Sequence, residues 1–416
     1  MSRLAGRWVA AVSLAAVLLA GCTGPAASGP DVNSTSSAPF SEPTPAPTVV
    51  SSVASSVAFT ATEQGVRIEA LPFPEPAGGE LPAAQQAALQ AGLEELTEPF
   101  LTGVIDGVTV AVVTPNGSWT SAIGTDEDEV PLVPSAIADI ASITKTVTAA
   151  EVVSLAQAGV IDLEAPATIY LEHPLLDRDP TIRQLLSHTS GVPDSFSDRF
   201  FTAVGADPAR TWTPADTLAY ATGPITEPGR PVMEYSNSNY LLLGLIIEKI
   251  TGLSYAKALR RDVLADLGSR MVVQTEEHPS PPLAAPDNSD SVFPDGQFVP
   301  NRAVASATGA AGGIAADAPT LATWGYRLYG GLIVDPEGTV DLATPVVPGY
   351  GLGTAIISGL AGPDLVVGHG GLIPGYSTLL IVDPTRQVSV AILTVGSRGP
   401  VLNDLLATEF LTTLST

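Results

Sequence analysis

Strand-forming segments stand at both ends of the folded region, and helices fill the stretch between them. Residues 107–113 (GVTVAVV) form a β-branched run of the kind a buried strand requires. Asn116 and Gly117 supply a tight hairpin turn, with 118–123 as the partner strand. The chain closes with strand patterns at 349–357, 365–368, 375–382 and 387–395, then a helix at 402–414. Helical patterns occupy 82–96, 141–159, 214–222, 238–250 and 317–329, separated by Pro- and Gly-containing loops. This order predicts an α/β (α+β) fold, an antiparallel sheet flanked by helices, with a helical subdomain drawn from the middle of the chain.

The N-terminus points to the cell envelope. Arg3 and Arg7 precede an apolar run at 8–20, too short to span a bilayer comfortably and suited to the hydrophobic part of a signal peptide. The run ends Leu19-Ala20-Gly21-Cys22, which resembles the bacterial lipobox; there the cysteine becomes the lipidated first residue of the mature chain. The expected organisation is a signal peptide at 1–21, a tether at 22–60 and a folded domain at 61–416. The tether is rich in Ser, Thr, Pro and Ala, and it lacks the apolar bulk to offset its chain entropy. The location that follows is extracytoplasmic, held to the cell membrane by lipid. With 43 acidic against 18 basic residues, the formal net charge is −25. Such a chain has no basic face for nucleic acid and none to assist membrane attachment, which rests on acyl chains alone. Cys22 is the single cysteine, so no internal disulfide can form.

Several chemistries are absent as motifs. No G-x-S-x-G or H-E-x-x-H occurs, no phosphate-binding glycine loop precedes a helix, and His173, His188, His278 and His369 lack metal-ligand spacing. No metal or cofactor is expected. The acidic run Asp126-Glu127-Asp128-Glu129 reads as a solvated hairpin loop. What remains is Ser142-Ile143-Thr144-Lys145 at the start of a helix. Spacing i, i+3 puts both side chains on one face, and the helix N-terminus favours the negative charge of an attacking alkoxide and of the oxyanion it creates. A buried lysine with a lowered pKa can take the serine proton. The motif is weak alone, since Ser254-Tyr255-Ala256-Lys257 also matches; by itself it is as well explained by a helix cap and a surface charge.

Context separates the two copies. Tyr235-Ser236-Asn237 follows Ser142, and His369-Gly370-Gly371 lies farther on. The order S-x-x-K, Y-x-N, [KH]-x-G resembles the serine β-lactamase and penicillin-binding superfamily. It is most like class C β-lactamases, D-alanyl-D-alanine carboxypeptidases and the esterases sharing their fold. The words Arg183-Gln184-Leu185-Leu186-Ser187-His188-Thr189-Ser190-Gly191 and Pro228-Gly229 agree as well, and the likeness covers about 80–416. The resemblance implies a β-lactamase/transpeptidase-like domain with Ser142 as acylated nucleophile and Lys145 and Tyr235 sharing the proton transfers. Asn237 would position Lys145 and the substrate amide, and His369 would stand where many relatives carry Lys. The N–H groups of Ser142 and Leu372 would form the oxyanion hole. Gly370 takes the place of a hydroxyl that holds a substrate carboxylate, and Gly371 would leave room for the substrate backbone. His188 reads as loop scaffold, and Trp324 and Tyr326 as helix packing. The function implied is a lipid-anchored serine hydrolase acting through an acyl-enzyme on an amide, lactam or ester, with small-molecule or peptide substrates that include cell-wall-derived ones. The alternative is a catalytically silent lipoprotein that binds cell-wall peptides or penicillin. Retention of Ser, Lys and Tyr favours the enzyme.

Overall fold

The computed structural model of the chain describes residues 71–285, 302–360, 365–396 and 398–415. The expected signal peptide at 1–21, Cys22 and the expected tether at 22–60 lie outside the described residues. Strands β1 (Gly107–Thr114), β2 (Gly117–Gly124), β6 (Ala355–Ser358), β7 (Leu365–Ile373), β8 (Tyr376–Asp383) and β9 (Val388–Val395) form one six-stranded sheet. Its order is β2-β1-β9-β8-β7-β6, and every neighbouring pair is antiparallel. The pair β1–β9, inside the sheet, joins the two ends of the folded region, with Ala111 opposite Ala391.

Alternation within the strands decides the layers. Val108, Val110 and Val112 of β1 and Val390 and Ile392 of β9 face a core shared with Leu89 and Leu93 of α1 (Ala83–Thr97) and Leu406 and Phe410 of the C-terminal helix Pro400–Thr413. Ala111, Val113, Ala391 and Leu393 face the opposite, larger core. Strands buried on both faces read as continuous apolar runs, which is why 107–113 and 387–395 were legible as strands.

The larger core contains α2 (Thr144–Gln157), α3 (Asn237–Thr251), α4 (Tyr255–Asp262), α5 (Arg302–Gly312) and α6 (Ala318–Tyr329). Residues 144–153 of α2 are all buried, so this helix is central rather than amphipathic. Trp324 and Tyr326 of α6 are buried packing residues; the Trp324 indole donates to Thr146 at 2.9 Å and the Tyr326 hydroxyl to the Pro74 carbonyl at 2.8 Å.

Three differences from the sequence-based expectation concern short elements. A second antiparallel sheet, β3 (Ile137–Asp139), β5 (Ile314–Asp317) and β4 (Met271–Val273), occurs in the order β3-β5-β4. The expected strand at 349–357 is a turn followed by β6, because the Val347 and Tyr350 backbones bond each other instead of a neighbouring strand. The helix expected over 141–159 begins as a 3-10 turn at Ala141–Ile143, and only Thr144–Gln157 is α-helical.

Candidate active site

The nucleophile turn is held from three sides. Ala141 adopts φ +47°, a conformation unfavourable for a residue with a Cβ, and its N–H donates to the Asp139 carboxylate at 2.7 Å. The Ile140 carbonyl accepts from the Thr378 hydroxyl on β8 at 3.1 Å, and the Ile140 N–H donates to the Ile314 carbonyl at 3.0 Å. The turn leaves Ser142 partly open to a cleft of about 200 Å³ while Ile143 to Lys145 are buried.

Lys145 carries the site. Its Nζ lies 3.0 Å from Ser142 Oγ, 2.8 Å from Asn237 Oδ1 and 2.7 Å from the Ala311 carbonyl. These three acceptors match the three N–H bonds of an ammonium. On deprotonation Nζ keeps two donors, for Asn237 and Ala311, and turns a lone pair to the Ser142 hydroxyl. Burial favours that neutral form and lowers the Lys145 pKa from 10.5 to about 7, with Asp194 opposing the shift.

Asn237 opens α3, and its own orientation is fixed by Asp194: its backbone N–H donates to Oδ1 at 2.9 Å and its amide to Oδ2 at 3.1 Å. The Tyr235 ring lies under Lys145 Nζ at 5.0 Å and over the His188 ring, with centroids 4.2 Å apart. Its hydroxyl is buried beside Ser142 without a well-directed hydrogen bond, and burial raises its pKa above the usual phenol value. Tyr235 is therefore a phenol, not a phenolate, around neutral pH. His188 is buried and accepts from the Ser236 N–H at 3.1 Å, which makes it the support for the Tyr235 turn.

Strand β7 forms the opposite wall. Gly370, Gly371 and Leu372 line the cleft with Ser142, Tyr235 and Asn237. The space in which Gly371 lacks a side chain is filled from within, contrary to the expected role of admitting substrate backbone: a Cβ there would meet Thr378 Oγ1 at 2.2 Å and the Ile140 carbonyl at 2.3 Å. The glycine lets the strand approach the nucleophile turn, placing Leu372 and Ser142 on one cleft.

His369 stands behind this wall. It is fully buried, with Nε2 3.1 Å from the Tyr350 hydroxyl and Nδ1 2.6 Å from the Gly370 carbonyl. Burial and then the nearby Lys145 push its pKa down to about 3. It offers no cation to a substrate near neutral pH; it meets the site through the Gly370 carbonyl and through the Tyr235 ring, at 6.5 Å between ring centroids. The second S-x-x-K is separated from all of this. Ser254 donates to Glu276 at 2.5 Å, and Lys257 is exposed.

Sequence reasoning missed Asp139, Asp194 and Tyr350. Asp194 was findable, because it follows the quoted 183–191 word in a Gly-Val-Pro-Asp turn. Asp139 and Tyr350 carry no local signal, since their partners Ala141 and His369 become meaningful only after folding.

The antiparallel sheet with flanking helices is the fold of the serine β-lactamase and penicillin-binding protein superfamily. The chain belongs to the β-lactamase family, whose family model matches residues 88–409. A curated relative, "Penicillin-binding protein 4*" of Bacillus subtilis (strain 168), is 32% identical over 145 residues, 33% of this chain and 30% of the relative. The alignment thus spans less than a third of that protein's length. Among solved structures, a D-stereospecific amidohydrolase from Streptomyces sp. superposes with a TM-score of 0.63 at 29% identity, covering 76% of this chain and 97% of that one. A D-amino acid amidase from Ochrobactrum anthropi SV3 gives a TM-score of 0.66 at 25% identity, covering 77% and 98%.

Proposed function

We propose that this chain is a lipid-anchored, extracytoplasmic serine hydrolase that works through an acyl-enzyme on neutral amides or esters. The observation that carries the reading is a fully buried Lys145, with its pKa lowered to about 7, 3.0 Å from a partly open Ser142. Neutral Lys145 accepts the Ser142 proton as Oγ attacks the carbonyl carbon. The oxyanion is received by the N–H groups of Ser142 and Leu372. The leaving amine or alcohol takes a proton from Tyr235, which Lys145 replenishes. Water then attacks the ester on Ser142, its proton passing to the same base, and the acid and free serine are released.

The preference for neutral substrates rests on what faces the cleft. Among the described residues no Arg or Lys lines it, Gly370 stands where relatives place a hydroxyl, and His369 is buried and uncharged near neutral pH. Losing a charge-assisted hydrogen bond costs about 1.5–3 kcal/mol, or roughly one to two decades in kcat/KM. The amidohydrolase likeness at 29% identity supports an amide among the substrates.

The test is intact-mass analysis after incubation with a penicillin, a fluorophosphonate and an activated aryl ester, alongside Ser142→Ala. One adduct lost in S142A is expected. A label that maps to Ser254, or none with any probe, leaves the silent binder. A D-alanyl-D-alanine peptide or a penicillin outrunning a short aryl ester tenfold at both pH 6 and pH 8 overturns the neutral preference. Cys22→Ala is expected to release the protein from membrane fractions or leave an uncleaved precursor; a wild-type chain without lipid on Cys22 overturns the anchor.

A further inference from the structure

We infer that Asp194 is a specificity residue that selects acyl groups carrying a protonated amine. The inference rests on the reading of this cleft as an acyl-transfer site and names the substrate class that fits it. Asp194 lines the cleft together with Ser142, Tyr235 and Asn237. Its Oδ1 accepts the N–H groups of Asn237 at 2.9 Å and Phe196 at 3.2 Å, and Oδ2 accepts the Asn237 amide at 3.1 Å. A carboxylate has about four lone-pair sites, so one on Oδ2 is left for a donor in the cleft. Among the described residues no Arg, Lys or His lines the cleft to supply that donor, and the Lys145 ammonium is spent on Ser142, Asn237 and Ala311.

One further observation gives the same sign. The whole chain carries a formal net charge of −25, a field that concentrates cations and repels carboxylates at an open cleft. The walls beside Asp194 are apolar, with Phe196, Phe201, Leu372 and Ile373, so an ammonium entering there is drawn to the carboxylate in a site with little competing water. Asp194 is linked to Ser142 through Asn237 and Lys145, and the acyl group is the part of the substrate that stays bonded to Ser142 in an acyl-enzyme. The amine therefore belongs to the acyl group and not to the leaving group.

Matched pairs test this: amides and aryl esters of an amino acid with a free amine, against the same compounds N-acetylated, in both enantiomers. Wild type is expected to favour the free-amine member about tenfold or more in kcat/KM at pH 7, the range of one charge-assisted hydrogen bond. Asp194→Asn should bring that ratio to within about twofold of unity, whatever it does to absolute rates. Absolute rates will fall, because the new amide faces the Asn237 amide and disturbs its hold on Lys145; the ratio cancels that loss. A measurement without any variant is competitive inhibition of wild type by phenethylammonium against N-acetylphenethylamine, with the cation expected to bind about tenfold tighter. Turnover of the N-acetylated substrates with no preference for the free amine overturns the inference while leaving the acyl-enzyme reading intact. An equal loss for both members in D194N also overturns it, by reducing Asp194 to a support for Asn237. Failure of every probe to acylate Ser142 is the separate failure of the acyl-enzyme reading.

Discussion

The pH dependence of Ser142 acylation follows from the burial of one amine. An ordinary lysine at pH 7 is about 0.03% free base, whereas a pKa of about 7 leaves about half of Lys145 neutral, a gain of roughly a thousandfold in available base. The shift from 10.5 to about 7 corresponds to about 5 kcal/mol of lost ammonium solvation that the three acceptors do not recover. With a neutral aryl ester, kcat/KM should rise about tenfold per pH unit below about pH 6, bend near 7 and level above about 8. His369 is held near 3 and His188 well below its usual value, so neither histidine titrates in that window. Asp139 does, because burial raises it to about 7 beside the nucleophile turn. The assay is therefore run on wild type and on Asp139→Asn, as pre-steady-state acylation from pH 5 to 9.5. The limb should persist in D139N with its midpoint within about half a unit. A limb centred above pH 9, a flat profile, or a limb abolished by D139N refutes Lys145 as the titrating base.

Gly371→Ala should lower kcat/KM by about a hundredfold and reduce the melting temperature, because its Cβ meets Thr378 and the Ile140 carbonyl and must push the nucleophile turn away from β7; unchanged kinetics would show that the turn yields without cost. The Asp139 carboxyl has a folded pKa raised from 3.8 to about 7, so its contribution to stability is full below about pH 4 and is lost as pH rises through 7. D139N should remove up to about 4 kcal/mol of that pH dependence, read as the difference between the urea-unfolding profiles of wild type and variant from pH 4 to 8, and parallel profiles would sink the idea. Ser254→Ala should leave labelling and activity unchanged, since Ser254 is bonded to Glu276 and far in function from the cleft.

Much of this molecule is legible in the sequence because the chemistry is written in contiguous words. Ser142 and Lys145 meet through helix geometry alone, and Asn237 lands at the start of α3 because Ser236 is still extended. Gly370 and Gly371 share a strand with His369, so β7 delivers them together. The expected strand at 365–368 runs on to Ile373, and the missing Cβ of Gly371 is what lets β7 pack against the turn. The small sheet escaped notice because three- and four-residue strands are too short to show a period of two.

Charge was the least legible property, and it decides the chemistry. The residue types at 145, 194, 235 and 369 suggest a cation, an anion, a phenol and a half-titrated imidazole. Burial rewrites that list. It halves the Lys145 charge near pH 7, holds Tyr235 protonated and leaves His369 neutral down to about pH 3. Where relatives place a second cation beside the tyrosine, this chain places an uncharged ring bonded to Tyr350 and to the Gly370 carbonyl. A second ammonium there would depress the Lys145 pKa further by like-charge repulsion; the neutral imidazole leaves desolvation alone to do it. The same exchange removes positive charge from behind the cleft wall, and on the proposal above Asp194 is the charge that an incoming amine meets. On the proposed mechanism, proton abstraction and the preferred sign of the substrate are both set by one replacement, and they should change together when His369→Lys is made: the limb of acylation should move to lower pH, and the free-amine preference should weaken. Movement of only one of the two would show that base strength and charge selection are separately built.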